Sequence, residues 1–539
     1  MFNANGVKKK IKITCGFFIA VILLLIIRLY YIQVHPAKVV QGELKNYQME
    51  TTAQMRFKVL DMDGNDMIQY DNKYVLVIDT QPFKLNNYEE TLEDLLALNF
   101  IMKSEDSSFN YTDIIQGSGK VYYEITEETY HKIEKLTNIK GIYTYAYKSP
   151  DLKEGWKIEN FIASIDQNKD SKIGDFQKQV NEYIKDNVYD TNNYYLDDKS
   201  VYSIVEVNDK SSNKNIRLTI NSDWTQKIRE VLASEDYSFL KNVGVVLIES
   251  DTGKIRAMVQ KDESQANVNL CIGSIGYEPG SIFKILTEAI SLDLGITNAD
   301  DVYYCEGAIC TQKGESYAHG ALTVEQALEV SCNDIFAQLG NKAGYGNMLS
   351  YTEKLGLYKQ VLGIDGKNKE EASGVKITED EGVSNFSIGQ CITVTPLQIA
   401  GAINAVVNDG VYIKPSLIDA VVDNDNNEII KEENEEVRVF SSTTSEIVQN
   451  TMNKVIWQGT GYEAKVDGVE EGGKTGTSTG EGGATNHGWF AGYFSLGGRK
   501  YTMVIVAPNI GDTHPDGREL GGGNTGAPIF RDIINALKN

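Results

Sequence analysis

Ser281 and Lys284 stand three residues apart in Pro279-Gly280-Ser281-Ile282-Phe283-Lys284, so a helix starting there carries a hydroxyl and an ammonium on one face, a turn apart. A serine hydroxyl is a poor nucleophile until something takes its proton, and a lysine can do so once desolvation and neighbouring cations lower its pKa. Alone the pair says little, because Ser-x-x-Lys arises by chance in most long chains and then describes an N-capped helix with a solvated lysine. Two later motifs change that. Ser331-Cys332-Asn333 offers a second hydroxyl, suited to proton shuttling, and an amide suited to holding a substrate amide. Lys474-Thr475-Gly476-Thr477 lies in a glycine-flanked segment just ahead of a strand predicted over His487–Phe494. On an edge strand its Lys and Thr side chains can bind a carboxylate, while Gly476 lets a substrate backbone approach closely. Each motif is common by itself; the three in this order are not.

A second constellation is metal-like. Three of the six cysteines, Cys305, Cys310 and Cys332, crowd between the first two motifs, and one of the five histidines, His319, lies among them. Cys-x4-Cys followed by a histidine is zinc-ligand spacing, and Cys332 supplies a fourth ligand, so a closed structural zinc site is expected here. The alternative is a Cys305–Cys310 disulfide, a Cys332 that is merely small and buried, and a His319 that caps a turn. If Cys332 points away, Asp301, Glu306 or a water completes the shell. Cys15, Cys271 and Cys391 have no obvious partner.

These groups must be held by a chain of 539 residues, long enough for two to four folding units. Apolar content of 41% and charged content of 24% are those of a globular protein, and a net charge of −23 argues against a nucleic-acid binder. One segment departs from this pattern. Ile13 to Ile27 is apolar and uncharged, and apolar character resumes after Arg28, about one bilayer crossing if Arg28 snorkels. Lys8, Lys9, Lys10 and Lys12 precede it, so the positive-inside rule keeps the N-terminus in the cytoplasm. No small-x-small site follows closely, which favours an uncleaved anchor over a signal peptide. The expected organisation is a basic tail over 1–12, an anchor over 13–34, an α+β region over 35–220 and a final domain over 221–539. In that last domain a hairpin (Asn242–Ile248, Lys254–Val259) precedes helices at Ile282–Leu292, Val324–Leu339 and Pro396–Val407. Strands at His487–Phe494 and Tyr501–Ala507 and a helix over Pro528–Leu537 follow. Strands at both ends of a helical middle imply a sheet built from distant segments with helices on its faces.

The three motifs, together with Tyr277-Glu278-Pro279-Gly280, Ile388-Gly389-Gln390, Val394-Thr395-Pro396-Leu397-Gln398 and His487-Gly488-Trp489-Phe490-Ala491-Gly492-Tyr493, resemble the class B penicillin-binding proteins. The N-terminal half resembles them more loosely: Arg56-Phe57-Lys58-Val59-Leu60-Asp61-Met62-Asp63-Gly64 lacks a Gly and the second Arg of the family's element. The resemblance implies an α+β, multidomain protein: a transmembrane helix, an α+β pedestal and a serine β-lactamase-like transpeptidase domain with an antiparallel sheet flanked by helices. It implies a D,D-transpeptidase in which Ser281 attacks a D-Ala-D-Ala stem peptide with Lys284 as base. Ser331 and Lys474 would relay a proton to the leaving amine, Asn333 would hold a substrate amide, and Thr475 and Thr477 would bind the terminal carboxylate. Backbone N–H groups of Ser281 and Thr477 would form the oxyanion hole. Penicillins would acylate the same serine. The implied partners are a SEDS-type glycosyltransferase and the cell-wall assembly complex, at the outer side of the cell membrane. The rival readings are a D,D-carboxypeptidase or β-lactamase, which give the acyl group to water, and a non-catalytic β-lactam sensor or scaffold.

Overall fold

Burial on both faces marks the central sheet: every residue of Gly244–Glu249 and of the 501–507 stretch of strand Arg499–Ile510 is out of water, as strands covered on both sides require. The computed structural model describes residues 16, 18–30, 46–152, 156–167, 173–207, 212–265, 269–273, 276–312, 315–365, 370–480 and 485–538. The sheet is antiparallel and five-stranded, in the spatial order Ile255–Gln260, Gly244–Glu249, Arg499–Ile510, Thr485–Leu496, Glu471–Gly480. The two strands that open the domain therefore pair with those that close it, and the Lys474 strand is an edge, as its motif predicts.

One face of the sheet is covered by helices Ser222–Leu232 and Gly526–Lys538, which place Ile228, Leu232, Phe530 and Ile533 against Val245, Leu247, Phe490 and Ile505. Helices Pro396–Val407 and Ser442–Gln458 lie on the other. There Thr502 donates to Asn404 Oδ1 at 2.7 Å, and Tyr493 donates to the carbonyl of Gln449 at 3.2 Å. Thr395 and Gln398 close a capping box at the start of the first of these helices, with Pro396 in its first turn.

One expected helix is two. Val324–Leu339 reads as a continuous apolar stripe, but the chain forms Val324–Glu329 and Asn333–Ala343 with a break between them. At the break Ser331 has φ of +59°, a left-handed conformation rare for a side chain larger than glycine, and Cys332 caps the second helix by accepting from Ile335 N.

The chain divides into two compact units that interleave: 1–54, 70–149 and 188–210 form one, and 55–69, 150–187 and 211–539 the other. A single cut near Asn221 does not describe this division. The physical reason is a strand pair: Val59–Leu60 runs parallel to Asn215–Leu218 in a four-stranded sheet of the second unit. The first unit holds two three-stranded sheets and a tyrosine-rich core in which the Tyr143 and Tyr122 hydroxyls donate to the buried Glu50 carboxylate. The basic tail 1–12 lies outside the described residues, as do 13–15, 17 and 31–34 of the expected anchor. Residues 18–30 are helical with exposed apolar side chains, and no described helix is long and apolar enough to cross a membrane.

Candidate active site

The turn that carries Ser281 is stitched on both sides. Gly280 N–H donates to the carbonyl of Gly389 at 2.9 Å, and the Ser478 hydroxyl donates to the carbonyl of Glu278 at 2.6 Å. Gly280 has φ of +55°, and a Cβ there would stand 2.7 Å from the carbonyl oxygen of Thr477. Only glycine lets the serine turn lie this close to the edge strand. A 3₁₀ turn over Gly280–Phe283 then hands on to the helix Lys284–Asp293, leaving Ser281 half-buried at its mouth and Lys284 fully buried.

Lys284 is the hub at which the first two motifs meet. Its Nζ lies 3.1 Å from Ser281 Oγ, 3.1 Å from Ser331 Oγ, 2.8 Å from the Ser331 carbonyl oxygen and 2.6 Å from Asn333 Oδ1. Ser331 turns both its carbonyl and its hydroxyl toward the amine because its backbone is left-handed, which is what the helix break achieves. Burial brings the Lys284 pKa down to about 7, against opposing pulls from Cys332 and Cys310. Among the described residues no carboxylate restores its charge: Glu288, one turn on and also fully buried, is itself pushed up to about 8 by burial. A neutral amine has two N–H bonds and a lone pair. The Ser331 carbonyl and Asn333 Oδ1 can only accept, so they take the two N–H bonds and leave the lone pair to a hydroxyl proton. The geometry thus supplies a base 3.1 Å from Ser281 Oγ at neutral pH.

The third motif flanks this hub. Lys474 is fully buried, and burial, then the nearby Lys284, hold its pKa well below the ordinary lysine range. Its Nζ donates to the carbonyl of Thr475 at 2.9 Å; no hydrogen bond joins it to Ser331 among the described residues. Thr475 and Thr477 line a cleft of about 480 Å³ with Thr460, Arg518 and the turn Gly521–Gly523. Gly476 packs against the protein itself. A Cβ there would meet Ile282, the Pro279 carbonyl and Trp489 at 3.0–3.1 Å, so its bareness admits the protein's own serine turn. The sequence reading passed over Thr460 and Gly522. The run of three glycines was a visible signal for the second; nothing local marks the first.

The cysteine cluster forms as spaced. One ligand atom from each of Cys305, Cys310, His319 and Cys332 lies within 4.8 Å of the others. A tetrahedral zinc with bonds of about 2.3 Å to sulfur and about 2.0–2.1 Å to nitrogen has S···S edges of about 3.8 Å and S···N edges of about 3.5 Å. The Cys305–Cys310 and Cys310–Cys332 sulfurs stand 3.8 and 3.7 Å apart, and Cys305 Sγ is 3.5 Å from His319 Nδ1. The residues therefore fit such an ion, whereas a disulfide needs about 2.05 Å. Backbone N–H groups of Asp334 and Ile335 point at the Cys310 and Cys332 sulfurs, as supports of metal-bound thiolates do. Cys332 faces the cluster, so neither Asp301 nor Glu306 is required; Asp301 is occupied by Asn298 N–H at 2.7 Å.

Residues 243–535 match the family model described as the penicillin binding protein transpeptidase domain. Penicillin-binding protein PbpB of Mycolicibacterium smegmatis is 28% identical over 290 residues, 49% of this chain and 44% of that protein. Stage V sporulation protein D of Bacillus subtilis is 29% identical over 293 residues, 51% of this chain and 44% of that protein. The chain thus spans about half the length of the curated relatives it matches. Among solved structures, a peptidoglycan synthetase from Bifidobacterium adolescentis shares the fold with a TM-score of 0.63 at 18% identity, over 91% of this chain and 96% of that one. Penicillin Binding Protein 2X from Streptococcus thermophilus does so with a TM-score of 0.67 at 18% identity, over 91% and 80%.

Proposed function

This chain belongs to the penicillin-binding protein transpeptidase family and is a class B penicillin-binding protein; from that premise we propose that it cross-links peptidoglycan as a serine D,D-transpeptidase. The observation that carries the reading is the fully buried Lys284 amine 3.1 Å from Ser281 Oγ, its pKa brought down to about 7 by burial. Ser281 attacks the penultimate carbonyl of a stem peptide ending in D-Ala-D-Ala while its proton passes to Lys284. The tetrahedral oxyanion is held by the N–H groups of Ser281 and Thr477, a contribution of about 3 kcal/mol per donor where such donors have been removed elsewhere. As the C–N bond breaks, the Lys284 proton returns through Ser331 Oγ, 3.1 Å away, to the departing D-Ala amine. Thr475 and Thr477 take the terminal carboxylate, with the buried Lys474 amine alongside, its Nζ donating to the Thr475 carbonyl. An acceptor amine from a second stem then attacks the ester, gives up its proton by the reverse route and releases Ser281. A penicillin enters the first half of this cycle. Intact-mass analysis after penicillin treatment should show one adduct, mapping by peptide sequencing to Ser281; an adduct elsewhere, or none, removes the reading.

The zinc belongs to the same proposal. Cys305, Cys310, His319 and Cys332 would hold the ion in a closed shell that ties the loop ahead of Cys332 to the second motif and stabilises the fold rather than activating water. A chelator should lower the melting temperature and slow penicillin acylation together, with reductant doing neither; metal analysis without stoichiometric zinc would count against the site. The exposed apolar side chains of the helix at residues 18–30 support an uncleaved anchor over 13–34; such an anchor would put the catalytic domain on the outer side of the membrane. Glycan polymerisation then falls to a partner, a SEDS-type glycosyltransferase within the cell-wall assembly complex.

A further inference from the structure

Two walls of the active site are tied to the serine turn through one residue, Glu278, which precedes the Pro279-Gly280 entry to that turn and is half-buried. Its carbonyl accepts from the Ser478 hydroxyl of the edge strand at 2.6 Å, and its carboxylate Oε1 accepts from Cys391 N–H at 2.8 Å. Cys391 belongs to a segment, residues 389–394, that meets the entry to the turn at both ends. Gly280 N–H donates to the Gly389 carbonyl at 2.9 Å, and Tyr277 and Val394 exchange two main-chain bonds of 2.9 Å. Between those anchors Cys391 has φ of +60°, a conformation rare for a residue with a side chain, and the Glu278 carboxylate takes the N–H of that bulge. Burial holds the Glu278 pKa above the ordinary carboxylate value, against the Cys391 N–H, which lowers it.

We infer that Glu278 is a positioning residue for the oxyanion hole: by holding Cys391 on its carboxylate and the edge strand on its carbonyl, it fixes the Ser281 turn against Thr477. The inference rests on the D,D-transpeptidase reading, which puts the Ser281 and Thr477 N–H groups on the oxyanion, and adds a residue to it. Those two N–H groups come from separate elements, a 3₁₀ turn and a strand, so something must set the gap between them. Ser281 and Lys284 share one turn of chain, and their 3.1 Å contact survives a shift of that turn as a whole. The gap to Thr477 does not: the main chain at Gly280 lies so near the Thr477 carbonyl oxygen that a Cβ would stand 2.7 Å from it, and a small displacement changes the fit. Loss of the Glu278 carboxylate therefore leaves the base in place and misaligns the donors that act on the tetrahedral state.

The test separates binding from the chemical step, using the whole chain. Glu278→Ala should lower the limiting rate of benzylpenicillin acylation about tenfold and leave the binding constant unchanged. An acylaminomethyl boronic acid, whose tetrahedral adduct on the same serine places an oxygen in the hole, should bind about tenfold more weakly. The rate should still rise through pH 7, because the surroundings of Lys284 are untouched. Glu278→Gln keeps an acceptor oxygen at the same reach and should restore both rate and boronic-acid affinity. An unchanged limiting rate in Glu278→Ala, a loss that falls on the binding constant, or a glutamine variant as slow as the alanine one overturns the proposal. If the alanine variant does not fold, Glu278→Met, which keeps the bulk and removes the acceptor, is compared with Glu278→Gln under the same criteria. A parent that takes neither probe overturns the acyl-serine reading, and this role with it.

Discussion

Ser281→Ala abolishes covalent labelling by a fluorescent penicillin while the protein keeps its melting temperature. The side chain is half-buried at the start of its helix, and among the described residues its one side-chain hydrogen bond is the 3.1 Å contact with Lys284 Nζ. The turn is held instead by main-chain bonds from Gly280 to Gly389 and from Ser478 to Glu278, which the substitution leaves intact. With no hydroxyl there is no ester, and Ser331 Oγ cannot take its place. That oxygen is 3.1 Å from the same base, but it belongs to the second motif rather than to the turn seated against the edge strand. Labelling should therefore fall to background, and a labelled alanine variant would show that another residue is the nucleophile.

Lys284→Ala slows acylation by about 10²–10⁴, the usual effect of removing a general base. The pH profile separates this from a packing defect. The base acts in its neutral form, and burial brings the folded-state pKa to about 7, so parent acylation should rise through pH 7 and level off above it. Below pH 7 it falls about tenfold per unit as the amine is protonated. The groups that set this pKa are Cys332 and Cys310, which raise it, and above all burial, which lowers it. Lys284→Ala should lose the step near pH 7 along with the rate; a variant that keeps the step would place the titration on another group. The substitution also leaves Asn333 Oδ1 and the Ser331 carbonyl without their donor, so some loss of melting temperature accompanies the kinetic effect and does not explain the profile.

Strand positions were legible from sequence because they depend on short-range pattern. Asn242–Ile248 and Tyr501–Ala507 are apolar runs bounded by turns, and both lie within a residue or a few of the observed strands Gly244–Glu249 and Arg499–Ile510. The edge position of Lys474-Thr475-Gly476-Thr477 follows from its glycines, which suit neither a central strand nor a helix. The helix break at Ser331 was not legible. The apolar stripe of residues 324–339 continues through it, and the bonds that Ser331 makes there include one from Lys284, far away in sequence.

Residue type and local spacing thus pointed to a candidate nucleophile and base, an edge strand suited to a carboxylate and the four clustered Cys and His side chains, because each is a property of a few consecutive residues or of helical and strand periodicity. Tertiary structure decided which of those groups meet: the Lys284 hub, the compact Cys305–Cys310–His319–Cys332 set, the two units whose segments alternate along the chain, the packing of Gly476 against the serine turn and the hydrogen bond from Thr475 to Thr460. Those depend on hydrogen bonds and steric contacts between residues remote in sequence, whose geometry exists only once the sheet brings the ends of the domain together.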